Sequence, residues 1–173
     1  MYVVTNRNLQ PNASPEERFG ATFNRKGPNE LRLAEAQKVG DRWQVDILDD
    51  RITFLKVQQR MGQRQTNALF FVHGFNTDFS DALEIAHRIE QLYNLEMVLF
   101  TWPSNGGGTV EGLASYQDDK RDAALSIGAF DRCLEKLAGY FIKHRDKACR
   151  CKFNLAMHSM GNYLFKRLLS SSI

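Results

Sequence analysis

In "NLAMHSMGNYLF", residues 154–165, an apolar run meets His158-Ser159-Met160-Gly161 and then a helical pattern. This reads as a strand, a sharp turn carrying Ser159, and a helix. Such a turn exposes the hydroxyl and aims a helix N-terminus, with its free N–H groups and partial positive charge, at a reacting carbonyl. A serine hydroxyl is a poor nucleophile at neutral pH. It needs a base to take its proton and donors to hold the oxyanion that its attack creates. The Met160 N–H, directly after the serine, is one candidate donor. The second usually comes from the loop after an earlier strand, often beginning His-Gly. Here that loop is His73-Gly74, which makes the Phe75 N–H the second candidate.

The other chemically capable residues have simpler readings. His158 adjoins the serine, and adjacent residues point in different directions, so it reads as structural rather than as the base. His73 reads as a hydrogen-bonding group that fixes its loop. His87 and His144 fall on a helix surface and near a helix end, where solvation explains them. Asp119 and Asp122 could approach the site or simply sit on a helix surface. Gly106-Gly107-Gly108 lacks the Lys-Ser/Thr of a phosphate loop and reads as a hinge or a plain connection. Trp102 is a core residue or a pocket wall. No chemical role follows for Thr5-Asn6-Arg7.

These residues need elements to hold them. "MYVVTNR" reads as a first strand. Residues 10 to 30 hold three of the four prolines and read as loop. "ELRLAEAQKV" and "RWQVDILDD" flank Gly40-Asp41 like the arms of a hairpin, with helix open for the first. "ITFLKVQQRMGQRQ" is ambiguous. "ALFFVHGFN" is a buried strand closed by glycine. "DFSDALEIAHRIEQLYN" has an apolar face at helical spacing, with Asp78 or Ser80 as its cap. "EMVLFTW" is the next buried strand. One long helical region follows, with Ala123, Ile127, Phe130, Leu134, Leu137 or Ala138, and Phe141 recurring every three or four residues. "KFNLAM" and "MGNYLFKRLL" close the chain as strand and helix. From residue 68 the order strand, helix, strand, helix, strand, helix builds parallel sheet with right-handed crossovers. Ligands of such sheets gather beyond the carboxyl ends of the strands. "HGFN", "WPSNGGG" and "HSMG" all lie there.

Composition excludes other classes. The chain has 173 residues, 43% of them hydrophobic, which suits one folded domain with a core. Its net charge of +3 is too small to argue for nucleic acid. The basic cluster "KHRDKACRCK" reads as a solvated helix end and loop. Cys133, Cys149 and Cys151 are odd in number, and the last two are too close for an ordinary bridge. No second pair completes a zinc site, so reduced thiols in the cytoplasm are expected. No signal peptide and no membrane span is apparent, and no cofactor is implied.

The chain resembles the α/β-hydrolase superfamily and, more narrowly, the bacterial α/β-hydrolase family of unknown function called DUF900. "VTNR", "FFVHGFN", "LFTWPSNG", "YQDDKRDA" and "HSMGNYL" carry the resemblance across nearly the whole chain. It implies an α/β fold with a mostly parallel sheet flanked by helices, in which the serine follows the fifth strand of an eight-strand core. It implies Ser159 as nucleophile, Phe75 and Met160 as oxyanion donors, and His73, Gly74, His158 and Gly161 as support for elbow and loop. Asn76, Trp102, Tyr116 and Asp119 become pocket candidates. One departure is Met157, where the elbow usually has a small residue. The acid and histidine of such enzymes follow later strands, and no Asp, Glu or His follows Ser159 here. The chain therefore reads as the N-terminal half of a hydrolase: strands and loops over 1–67, an alternating core over 68–173, acid and base beyond residue 173. The missing segment or another chain is expected to cover the sheet edge. Two functions follow: a serine hydrolase acting on a small acyl substrate (ester, thioester or amide), or a non-catalytic binding or subunit protein of the same fold.

Overall fold

The computed structural model describes residues 1–49, 53–104, 112–143 and 151–171. The first strand divides at Asn6 into β1 (Tyr2–Thr5) and β2 (Arg7–Leu9). A 3-10 turn at Pro15–Glu17 leads to β3 (Phe19–Phe23), which pairs antiparallel with β2 as a separate two-stranded sheet. The proline-rich stretch is thus not all loop. The predicted hairpin forms as β4 (Arg32–Val39) and β5 (Arg42–Leu48), and β5 alternates buried Trp43 and Val45 with exposed Arg42, Gln44 and Asp46. The ambiguous segment is a helix, α1 (Thr53–Arg64), because Phe54, Val57 and Met61 fall on one buried face.

The alternating core follows: β6 (Ala68–Val72), α2 (Phe79–Tyr93), β7 (Glu96–Thr101), α3 (Gly112–Leu125), α4 (Ile127–Lys143), β8 (Phe153–Met157) and α5 (Met160–Ser171). Asp78 caps α2, its side chain accepting from the Asp81 N–H at 2.7 Å. The long helical region breaks at Ser126, whose buried hydroxyl donates to Asp122 O and accepts from Asn6 Nδ2.

The main sheet runs β5-β4-β1-β7-β6-β8. The β4–β5 and β1–β4 pairs are antiparallel, and β1, β7, β6 and β8 run parallel. β1 and β7 are buried along their whole length, as continuous apolar runs covered on both faces should be. Because β1 inserts between the hairpin and β7, the strand before Ser159 is, among the described residues, the sixth of this sheet in chain order, not the fifth. Helices α1, α3, α4 and α5 bury one face around Phe70, Phe100 and Phe130. Helix α2 and Phe19 of β3 cover the other around Val3, Phe71 and Leu99. β8 lies at the sheet's edge, with Asn154 and Leu155 exposed. Among the described residues no helix is long and apolar enough to cross a membrane.

Candidate active site

Two residues, His158 and Ser159, separate β8 from α5. Turning a strand into a helix this fast requires an unusual backbone, and Ser159 has φ +50°. That left-handed conformation costs a non-glycine residue about 1–3 kcal/mol, so the surroundings must enforce it. They do so through four bonds. The His158 N–H donates to Val72 O at 2.9 Å, continuing the β6–β8 ladder past the strand end. The Gly161 N–H donates to His158 O at 2.8 Å and the Asn162 N–H to Ser159 O at 3.0 Å. The Asn162 side chain donates to Met157 O at 2.9 Å. Ser159 is left exposed at the head of α5. The large Met157 is accommodated half-buried, against the core that α5 helps to cover.

Two glycines set how closely the elbow packs. A β-carbon on Gly161 would lie 2.9 Å from both Val72 O and His73 O, so the first turn of α5 rests directly on the end of β6. A β-carbon on Gly74 would lie 2.7 Å from Ser159 Cβ and 2.9 Å from His158 Nδ1. The His-Gly loop therefore touches the serine, and only glycine permits that approach. Phe75 follows, half-buried, its ring edge-on to Tyr116 of α3 at 5.5 Å between centroids. Neither the Phe75 nor the Met160 N–H meets an acceptor among the described residues. For Met160 that is the normal state of a first helical residue.

Beneath the loop lies a buried polar layer. His73 stacks on Trp102 with 8° between the rings and 5.2 Å between centroids. Burial, and secondarily the Arg7 charge, hold its pKa down at about 3, so the ring is neutral. Trp102 is fully buried and belongs to the core rather than to an open pocket wall. Asp119 is buried too, and its Oδ2 accepts from the Asn76 N–H at 3.0 Å and from the Ser104 hydroxyl. Asn76 itself is exposed with φ +54°. Asp122, half-buried behind Asp119, has its pKa pushed up to about 6 by burial and by Asp119 and Asp118. Arg7 is fully buried and donates to Thr101 Oγ1, Thr77 O, Gly20 O and Ser104 O. Burial lowers it to about 9, leaving it charged at neutral pH.

Sequence reasoning gave Arg7 no role and passed over Thr77, Thr101 and Ser104. The available signal was a charged residue and hydroxyls at the ends of two otherwise apolar strands. Of the residues it did single out, Gly74, Phe75, His158, Ser159, Met160 and Gly161 come together. His73, Trp102 and Asp119 lie under them, Tyr116 beside Phe75, and Asn76 further along the loop.

No imidazole or carboxylate bonds the Ser159 hydroxyl among the described residues. Both ring nitrogens of His73 are engaged elsewhere. His87 lies edge-on to Trp43 at 5.5 Å, on the α2 face. His144 and Gly106–Gly108 lie outside the described residues. Among the described residues no group of three His, Cys, Asp or Glu could hold a metal ion.

A mixed, mostly parallel sheet flanked, among the described residues, by five helices, with a strand–serine–helix elbow at the carboxyl end of a parallel strand, defines an α/β-hydrolase-like fold. The chain belongs to the family described as alpha/beta hydrolase of unknown function, DUF900, whose model matches residues 53–171. No curated protein and no solved structure matches it.

Proposed function

We propose that this chain carries the nucleophile and oxyanion donors of a serine hydrolase acting on a small acyl substrate. The Ser159 hydroxyl oxygen attacks the carbonyl carbon, and a base takes its proton. The Phe75 and Met160 N–H groups hold the oxygen that becomes negative. The leaving group departs with the proton as the acyl-enzyme forms, and water then releases the acid and restores the serine. The observation that carries this reading is the exposed, left-handed Ser159 with the Gly74 loop pressed against it. No cofactor enters the scheme. His73 is not that base: it is neutral, buried and bonded at both ring nitrogens.

A second reading, a non-catalytic binding or subunit protein, is favoured by one observation, the lack of an imidazole bonded to Ser159 among the described residues. Chemical rescue separates the two. Free imidazole is a small base that can reach an exposed serine hydroxyl. Hydrolysis of p-nitrophenyl acetate by the chain should rise with imidazole beyond the sum of the separate rates, and Ser159→Ala should abolish the excess. Equal rates for the parent and Ser159→Ala at every imidazole concentration would favour the binding reading.

A further inference from the structure

We propose that Arg7 is a positioning residue for the oxyanion loop: through Thr101 and His73 it fixes the Gly74 carbonyl, and directly it holds the Thr77 carbonyl, so that the Phe75 N–H between them faces Ser159. This rests on the serine-hydrolase reading. It gives the Thr5-Asn6-Arg7 stretch a role in that site.

Arg7 is 1% exposed and feels the charges of Asp78 and Asp119, yet its hydrogen bonds go to a hydroxyl and to backbone carbonyls. Burying a cation is costly, and what its bonds supply that an apolar residue could not is a set of fixed positions for the groups they reach. A guanidinium is a planar fork of donors with no acceptor. That fixes the direction of the bonds it makes, and the Gly74 carbonyl and the Trp102 N–H set the His73 tautomer in the same sense. Nε–H donates to Thr101 Oγ1 at 2.9 Å, so the Thr101 proton is free to point elsewhere. It points to His73 Nε2, 3.0 Å away, which also accepts from the Trp102 N–H at 3.2 Å. With Nε2 accepting, the neutral ring carries its proton on Nδ1, which donates to Gly74 O at 2.9 Å. The second arm is shorter, Nη2 donating to Thr77 O at 2.9 Å.

The loop's backbone is thereby tied on both sides of Phe75. The Gly74 and Thr77 carbonyls answer to Arg7. The Asn76 N–H goes to Asp119 and the Thr77 N–H to Ser104 Oγ at 3.2 Å. Even the Phe75 carbonyl accepts, from the Thr77 hydroxyl at 3.1 Å. The Phe75 N–H is left without an acceptor among the described residues, next to a glycine that touches the serine. An oxyanion donor has to be rigid and otherwise unengaged, and this clamp supplies both conditions.

The test uses Thr101, because replacing Arg7 risks the fold. Thr101→Val keeps the shape and removes the relay hydroxyl; Thr101→Ser keeps the hydroxyl and removes a methyl. The readouts are the ¹⁵N resonances of the His73 ring, the Phe75 amide resonance, and kcat and KM for imidazole-assisted p-nitrophenyl acetate hydrolysis. Thr101→Val should shift both resonances and lower kcat by about tenfold to a hundredfold, the scale of a slightly misplaced catalytic group, with little change in KM. Thr101→Ser should return the resonances and most of the rate. A packing role predicts the opposite order, with valine tolerated and serine harmful, and that order would overturn the proposal. So would resonances and kcat unmoved by valine. If the parent shows no Ser159-dependent turnover while the resonances move and return as described, the clamp stands and the hydrolase reading falls.

Discussion

Gly161→Ala isolates the closeness of the elbow to β6. Alanine in a helix is ordinarily favoured over glycine by about 1 kcal/mol. At position 161 the added methyl would lie 2.9 Å from Val72 O, 2.9 Å from His73 O and 3.2 Å from Val72 Cγ1. Both oxygens are backbone at the end of a central strand, so neither can rotate aside. Comfortable carbon–oxygen contacts start near ~3.3 Å, so α5 must lift by a few tenths of an ångström. Overpacking of this kind costs about 1–3 kcal/mol, which outweighs the propensity gain at all but the lowest value. For a chain of this length each kcal/mol moves Tm by about 2–4 °C, so the net cost of up to about 2 kcal/mol should lower Tm by up to about 8 °C. Gly139→Ala is the internal control. It lies within α4 with nothing within 4 Å of its missing β-carbon, so there only the propensity gain remains and Tm should rise by about 2–4 °C. Thermal unfolding followed by far-UV circular dichroism measures both. If Gly161→Ala melts above the parent while Gly139→Ala rises, α5 does not rest this closely on β6 and position 161 does not require glycine.

Asp119→Ala strips the acceptor from the Asn76 N–H and the Ser104 hydroxyl and should cost about 2–3 kcal/mol in chemical denaturation; an unchanged midpoint would show that the loop is anchored elsewhere. Burial pushes the Cys133 thiol up to about 12, so a thiol reagent followed by mass spectrometry should find Cys151 modified well before it, and early labelling of Cys133 in folded protein would contradict its burial. Asp122 is raised from 3.8 to about 6, so the folded state binds its proton more readily than the unfolded state, and this group's contribution to stability is lost as pH climbs through that window. Asp122→Asn should therefore gain on the parent between about pH 4 and pH 6 and keep the gain above it; a difference independent of pH would refute the shift. We further propose that the β8 edge associates with another chain when left uncovered: "FNLAM" carries no charge and Leu155 is 48% exposed, so Leu155→Lys should reduce concentration-dependent light scattering, and equal scattering would place association elsewhere.

The parts of this fold that were legible in the sequence rest on short-range chemistry. Asp78 ahead of an apolar helical face marks the start of α2, Gly40-Asp41 marks a hairpin, and the serine elbow is spelled out within a few residues. The parts that were not legible depend on distant partners. β3 exists because Phe19 and Phe23 pair with Leu9 and Arg7, and nothing inside a stretch with three prolines announces that. The helical periodicity from Ala123 to Leu137 runs through Ser126 without interruption; the break is stabilised by Asn6, 120 positions away. In the site the same division holds. Ser159, Met160, Gly161 and the His-Gly pair follow from local pattern, whereas the roles of Arg7 and Asp119 depend on loops 70 and 43 positions distant.

The position of β1 in the sheet carries a consequence for the order in which the molecule can form. Its antiparallel partner is available once residue 35 has been made, but its parallel partner begins at residue 96. During synthesis the first strand emerges earliest, yet one side of it must wait, open, for most of the chain. Arg7 waits with it, hydrated until Thr101 arrives 94 positions later. Closing so long a segment carries an entropic cost that no early contact repays, and sheets dominated by distant pairings fold slowly. The three strands β1, β4 and β5 can assemble first as a meander-like lobe. The dehydration of Arg7, the docking of β7 and the seating of the His73 loop should then occur together as a late, concerted step. In refolding, the hydroxyl-and-imidazole layer under Ser159 would be among the last structures to gain protection from hydrogen exchange, well after the helices.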